Sequence, residues 1–112
     1  MPIQHWSEQI WVVKLANEPA LSEDLSSALM NAGSAEKMPD LVLDLSSVTQ
    51  INSSNLSQLL RLRKLAIDRN SRLRVVAPTN AVWAVFITTG LDKVMDFAQD
   101  MPTALAGLQM KK

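Results

Sequence analysis

The chain has 112 residues, of which 47% are hydrophobic, and its 11 basic residues balance its 11 acidic ones. This is the size of one domain, so we take residues 1–112 as a single unit with an apolar core. A chain without net charge has no overall electrostatic field to attract nucleic acid. The lack of cysteine excludes thiol catalysis and metal bound by thiolates, and it fits a cytoplasmic protein.

The first part of the chain alternates short apolar runs with polar turns. It begins without the basic segment and long apolar run of a signal peptide, and no later run is long enough to cross a bilayer, so we expect no membrane insertion. Two strands are predicted at Ile3–Trp6 and Ile10–Leu15. A helix is predicted at Leu21–Ala32, and a strand covered on both faces at Leu41–Leu45.

The second part of the chain alternates helices with strands. The predicted elements are a helix at Ser54–Arg69, a strand at Leu73–Ala77, a helix at Ala81–Thr89 closed by Gly90, an edge strand at Val94–Phe97 and a helix at Pro102–Met110. Such alternation implies βαβ crossovers. The predicted fold class is therefore α/β, with a mixed sheet of about four to five strands and about four helices packed on it.

The long helix Ser54–Arg69 has one predicted core face. Steps of about 100° per residue bring a set of apolar residues into one arc, namely Leu56, Leu59, Leu60, Ala66 and Ile67. Leu65 falls on the far side, near Asp68, and Leu62 falls at the margin. The sequence therefore predicts an apolar and basic docking patch made of Arg61, Leu62, Lys64 and Leu65.

Two apolar residues of the helix Ala81–Thr89, Trp83 and Ile87, lie off its core stripe. They either cover the edge of the sheet or belong to an interface with a partner or with a second copy of the chain. A homodimer is therefore left open.

The order of motifs resembles that of a STAS domain, the fold of bacterial anti-sigma factor antagonists. The resemblance rests on LVLDLSSV at residues 41–48, INSSNL at 51–56, LLRLRKLA at 59–66 and TTGLDKV at 88–94. In these motifs a buried strand ends in two serines that open an amphipathic helix. The resemblance covers most of the chain and implies the STAS fold.

The resemblance also implies a phosphorylation site and a partner. Family members typically carry Asp-Ser-Ser-Gly or Asp-Ser-Gly at this turn, and the first serine is phosphorylated by a kinase that is itself an anti-sigma factor. Ser53 is thereby the implied phosphoacceptor, with Ser54 as second choice. Asn52 and Asn55 stand where the family usually has aspartate and glycine. The whole turn, from Asn52 to Asn55, is the implied contact surface for this ATP-binding partner.

The position of the serines gives a physical reason for a switch. A helix N-terminus carries about half a positive charge and free N–H groups, so it can accept a phosphate of about −1.5 to −2 charges. A partner packed over the turn would instead have to bury this hydrated group. Phosphorylation would therefore abolish binding with little change of conformation.

Other polar residues are given structural interpretations. Asp44 interrupts the buried strand, and we favour a role in accepting N–H groups of the following loop over a functional one. His5 has no second ligand type nearby, so no metal site is expected. The chain has no GxxxxGK loop, no HExxH motif and no set that fits a Ser–His–Asp triad, so we expect neither an enzyme nor a cofactor.

Two functions follow from the sequence. The first is an anti-sigma factor antagonist-like regulator that binds a kinase-type anti-sigma factor and is switched by serine phosphorylation at the Asn52–Asn55 turn. The second, which Asn52 and Asn55 favour, is a non-phosphorylated STAS scaffold or small-molecule-binding module in a transport or sensory complex.

Overall fold

The computed structural model describes residues 3–109, in which five strands form one sheet that carries four helices. The strands are β1 (Ile3–His5), β2 (Ile10–Ala16), β3 (Asp40–Ser47), β4 (Leu73–Val76) and β5 (Asp96–Ala98). The helices are α1 (Ala20–Ser34), α2 (Ser53–Asp68), α3 (Asn80–Thr89) and α4 (Met101–Gln109). The predicted α/β fold is confirmed, while Met110, the predicted end of the last helix, lies outside the described residues.

The strands lie across the sheet in sequence order. β1 runs antiparallel to β2, whereas β2, β3, β4 and β5 are parallel to one another. Parallel neighbours need a crossover connection, and α1, α2 and α3 supply the three that this sheet requires. The carboxyl ends of the four parallel strands therefore meet at one edge, where open α/β sheets place their functional loops.

Helices cover both faces of the sheet. Val13 and Leu43 pack with α1, α2 and α3 on one face, while their neighbours Val12 and Val42 pack with α4 on the other. This alternation follows from the two-residue period of a strand. It explains why β3 is apolar on both sides, as the sequence predicts.

The buried face of α2 differs from the predicted one. Leu59 and Leu62 have no exposed surface, whereas Leu60 is 41% exposed and Ile67 is 55% exposed. Leu65, predicted on the far side of the helix, is half-buried and packs against the core beside α1. The predicted core positions of Leu60 and Ile67 are therefore wrong, as are the predicted surface positions of Leu62 and Leu65.

The difference amounts to a rotation of α2 by somewhat less than one residue step of about 100°. The apolar pattern does not reveal this rotation because Asn55, a polar residue, occupies a core-facing position and is fully buried. A prediction from the apolar residues alone places Leu60 and Ile67 on the buried side of the helix. In the actual orientation α2 packs against α1, and Arg69, the residue after α2, donates from Nη1 to the carbonyl oxygen of Gly33 over 3.0 Å.

The region after β4 contains the predicted helix, glycine and strand, together with a 3-10 turn that was not predicted. Trp83 packs edge-on against Phe97 with ring centroids 5.0 Å apart, so it covers the sheet edge at β5, while Ile87 is exposed. Gly90 ends α3 with a φ of 79°, a left-handed conformation that glycine adopts at little cost. A 3-10 turn at Leu91–Lys93 follows, which makes β5 begin later than predicted.

The rotation of α2 predicts a large loss of stability for one leucine variant and a small change for another. Leu62→Ala should lower the free energy of unfolding by about 2–5 kcal/mol because it opens a cavity in the core. Leu60→Ala, the matched control, should lower it by less than about 1 kcal/mol because the residue is 41% exposed and its truncation leaves no enclosed cavity. Urea unfolding of both variants measures this, and equal losses would contradict the orientation of α2.

Candidate functional site

The two serines open α2 at the carboxyl edge of the sheet. Asn52 precedes the helix in an extended conformation, and Ser53 is its first residue, one position earlier than predicted. Both serine side chains are exposed. Within residues 3–109, the N–H groups of Ser53 and Ser54 have no acceptor, so this helix end presents free donors and the positive end of its dipole to solvent.

Two asparagines close the turn that carries the serines. The Asn52 Oδ1 atom accepts the backbone N–H of Asn55 over 2.8 Å, and Asn55 Oδ1 accepts the backbone N–H of Asn52 over 3.0 Å. This reciprocal arrangement is a capping box, which satisfies two donors that the helix itself leaves free. The turn is therefore well formed without the aspartate and glycine that the family usually has.

The side chain of Asn55 points into the protein. It is fully buried, and its Nδ2 donates to Glu18 Oε2 over 2.9 Å. The prediction that this side chain contacts a partner is therefore wrong. The physical reason is its position, because the third residue of α2 faces α1 and the β2–α1 loop instead of solvent. For the same reason it does not crowd the serines.

Glu18 connects the first turns of two helices. Its Oε1 atom accepts the backbone N–H of Ser22 over 3.0 Å and the Ser22 hydroxyl over 2.9 Å. Its other oxygen, Oε2, accepts the hydrogen bond from Asn55 Nδ2 that is described above. The hydrogen bond from Asn55, followed by those from Ser22, holds the pKa of the Glu18 carboxyl below its ordinary value, since each donor stabilises the ionised form. Glu18 is therefore a carboxylate at neutral pH.

A cleft of about 490 Å³ lies beside the serine turn. It is lined by Asn17, Glu18, Thr49, Gln50, Ile51, Asn52, Asn55, Ala81 and Val85. Asn17 joins two of its walls, because its Oδ1 accepts the backbone N–H of Thr49 and its Nδ2 donates to Thr49 Oγ1, both over 2.9 Å. The lining combines amides, one hydroxyl and one carboxylate with apolar side chains, a mixture that suits a polar ligand or a partner's side chain.

The exposed face of α2 begins at Ser53. Residues spaced three or four apart continue it along the helix, namely Ser57, Leu60, Arg61, Lys64 and Ile67. We call these six residues the α2 face. Arg61 and Lys64 of the predicted patch belong to it, and Lys64 pairs with Asp68 over 3.1 Å. Leu62 and Leu65 do not, because the rotation of α2 turns them inward.

Other predicted residues lie away from this face. Asp44, at the end of the buried part of β3, accepts the backbone N–H of Ser46 through Oδ1 over 2.9 Å. His5 stacks on Trp11 with ring centroids 4.5 Å apart. Among residues 3–109 no three potential metal ligands of the His, Cys, Asp and Glu types cluster together. In the same range, no helix has both the length and the apolar character needed to cross a membrane.

Sequence reasoning missed the residues that hold the turn from outside, chiefly Asn17, Glu18 and Thr49. A signal was present, because a polar group follows β2 and another follows β3, and these strands are parallel neighbours. Carboxyl ends of parallel strands share one edge, so the two loops had to meet. The sequence did not indicate which of their side chains would bond.

Comparison with known proteins identifies the family. Residues 12–100 match the family model described as Mlab, STAS domain. This chain is a STAS domain. The predicted resemblance is thereby confirmed over most of its length, and no curated protein sequence gives a significant match.

Solved structures agree with this assignment. A candidate anti-sigma factor antagonist from Thermotoga maritima superposes with a TM-score of 0.83 at 17% identity, covering 96% of this chain and 93% of that one. A STAS domain protein from Planctomyces limnophilus gives 0.81 at 18% identity, with 96% of each chain covered. An RsbS variant from Moorella thermoacetica, in which glutamate replaces a serine, gives 0.74 at 23% identity over 97% of this chain and 96% of that one. At these identities the likeness establishes the fold.

The low pKa of Glu18 predicts a pH-dependent contribution to stability. A carboxyl whose pKa is lowered by folding stabilises the protein fully above its unfolded-state pKa, near 4.3, and this contribution is lost as pH falls through the folded pKa. Wild type should therefore have a higher thermal midpoint than Glu18→Gln at pH 7, and the difference should shrink as pH falls below about 5. Glu23→Gln, an exposed carboxyl also in the first turn of α1, is the control and should show no comparable gap. A difference in thermal midpoint between wild type and Glu18→Gln that does not change with pH would contradict a stabilising role of the ionised Glu18 carboxylate.

Proposed function

We propose that this STAS domain is an anti-sigma factor antagonist-like regulator that binds a kinase-type anti-sigma factor through the Asn52–Asn55 turn and the α2 face. One observation carries the proposal: exposed Ser53 opens α2 and begins the same face that presents apolar and basic side chains. The STAS fold and its likeness to an anti-sigma factor antagonist support it. The chain itself needs no catalytic activity for this role, and the proposal includes action in the cytoplasm together with the kinase.

Phosphorylation of Ser53 is the proposed switch. The Ser53 oxygen forms a bond to the γ-phosphorus of the partner's ATP, the bond from that phosphorus to the β–γ bridging oxygen breaks, and ADP leaves. The hydroxyl proton passes to a base of the partner or to solvent. The free N–H groups of Ser53 and Ser54 can then donate to the phosphate, so the helix end accommodates it without unfolding.

The α2 face explains why this phosphate would weaken binding. From Ser53 to Ile67 it extends about 20 Å, since each helical residue rises about 1.5 Å. Leu60 and Ile67 offer apolar contact area, and Arg61 and Lys64 favour an acidic partner surface. A partner that covers this length also covers Ser53. It would then have to bury an unpaired dianion at a cost of several kcal/mol, and each 1.4 kcal/mol is tenfold in affinity.

A constitutive module is the second candidate function. The cleft beside the turn favours it, because a volume of about 490 Å³ with amide, hydroxyl and carboxylate groups is suitable for a small polar molecule. The capping box also completes the turn without any phosphate. In this version the domain serves as a scaffold or small-molecule sensor in a larger complex. One structural neighbour, 24% identical, comes from the stressosome, described as a signal integration and transduction hub. A homodimer would be compatible with either function.

The phosphoacceptor assignment predicts the result of a kinase assay. The purified protein is mixed with ATP and a kinase-type anti-sigma factor, a histidine-kinase-like ATPase chosen from the same genome, and intact mass is measured. Wild type and the control Ser54→Ala should each gain one phosphate, and Ser53→Ala should gain none. Uptake by Ser53→Ala as complete as that of wild type would show that Ser53 is not the site. No uptake by wild type, with tight binding to the ATPase, would favour the constitutive scaffold.

The α2 face predicts which apolar residues contact the partner. Ile67→Ser and Leu60→Ser should each weaken binding to the same ATPase about five- to thirtyfold, as expected for apolar interface residues worth 1–2 kcal/mol. Ile87→Ser is the matched control, since it changes an equally exposed isoleucine on α3 and should leave the affinity unchanged. Isothermal titration calorimetry measures all three. Equal losses for Ile67→Ser and Ile87→Ser would exclude the α2 face as the contact surface.

A further inference from the structure

A single carboxylate, that of Glu18, receives hydrogen bonds from the starts of two helices. Ser22 is the third residue of α1, and Asn55 is the third residue of α2. Both donate to Glu18, which lies 37 positions before Asn55 in the chain. The β2–α1 loop and the serine turn therefore share one anionic group, and Pro19, the N-cap residue of α1, makes no side-chain cap hydrogen bond.

The contact is needed because Asn55 is completely buried. Its Oδ1 accepts the N–H of Asn52, and its Nδ2 donates to Glu18, an exposed residue whose carboxylate reaches the buried amide. A buried donor left without a partner costs about 1–3 kcal/mol. Without Glu18, the Asn55 amide would have to turn or leave its site, and either movement breaks the capping box that sets the position of Ser53.

A second contact connects the first turn of α1 to the second turn of α2. Gln58, three residues after Asn55, donates from Nε2 to the carbonyl oxygen of Ser22 over 2.9 Å and to Ser26 Oγ over 3.0 Å. Ser22 is thus held to α2 twice, through Glu18 at its N–H and hydroxyl and through Gln58 at its carbonyl. A displacement of the first turn of α2 has a direct route to the first turn of α1.

We propose that Glu18 is a positioning residue that holds the serine turn against α1, and that negative charge added at Ser53 weakens this contact and loosens the first turn of α1. The reason is electrostatic, because a phosphate on the first residue of α2 would share one helix end with the Glu18 carboxylate, and like charges repel. The proposal rests on the proposed function for the origin of the phosphate. The Glu18 contact itself can be tested on the isolated protein.

The first experiment tests the positioning role. Amide hydrogen exchange is followed by NMR on the full chain at pH 7 for wild type, Glu18→Gln and the control Glu23→Gln. Glu18→Gln keeps an acceptor for Ser22 but presents an NH₂ group to the Asn55 side chain. The backbone N–H of Asn55 should therefore exchange about ten times faster, the effect expected from the loss of one charged hydrogen bond. Exchange in Glu23→Gln should match wild type. Unchanged exchange at Asn55 in Glu18→Gln would overturn the positioning role.

The second experiment tests transmission to α1. Ser53→Glu, which imitates part of the phosphate charge, should quicken exchange at the Ser22 amide at least about threefold. Ser57→Glu, one turn further along the α2 face, is the control and should leave Ser22 unchanged. In the Glu18→Gln background, Ser53→Glu should have no further effect on Ser22. An unchanged Ser22 amide in Ser53→Glu, or the same increase with and without Glu18, would overturn the transmission.

These outcomes are separate from those of the kinase assay. Failure of every kinase to modify Ser53 would refute the proposed switch but would leave the exchange results for Glu18→Gln as expected. Conversely, phosphorylation of Ser53 with no change at Ser22 would support the switch and refute the transmission. The Ser53→Glu arm uses the wild-type Glu18 residue, so it stands even where Glu18→Gln does not fold.

Discussion

The placement of one buried amide determines much of this structure. Asn55 occupies a core-facing position of α2, where a polar group is tolerated only when its hydrogen bonds are made. Two partners satisfy it, the backbone of Asn52 and the carboxylate of Glu18. Satisfying Asn55 sets the start of α2 and contributes to its rotation about its own axis. Leu62 then enters the core, while Leu60 and Ile67 remain in solvent.

The sheet topology brings the other components of the site to the same edge. Parallel pairing of β2 and β3 places the loops that follow them side by side, and Asn17 bonds one to the other. Thr79, which caps α3, donates its hydroxyl to the carbonyl oxygen of Val48 over 2.8 Å. The loops after β2, β3 and β4 are therefore joined by side-chain hydrogen bonds, which makes a firm support for an exposed serine.

A firm support fits a switch that acts through charge. The first N–H groups of α2 are free donors, so the proposed phosphate on Ser53 would find hydrogen-bond partners at the helix end. In the proposed switch, the phosphate would change the surface that a partner meets, together with the electrostatic relation between Ser53 and Glu18. The exposure of the α2 face supports the first proposal, and the bridge between two helix starts supports the second.

The sequence alone was sufficient for the architecture and for the position of the serines. Strand and helix periods, the turn residues and Gly90 are local signals, and they predict the alternation of elements and the helix that begins at the Ser-Ser pair. The tertiary structure alone decided the burial of Asn55 and Leu62 and the role of Glu18. Periodicity shows which residues share a face, but the packing of distant segments, here α1 and the β2–α1 loop, decides which face turns inward and which side chains meet.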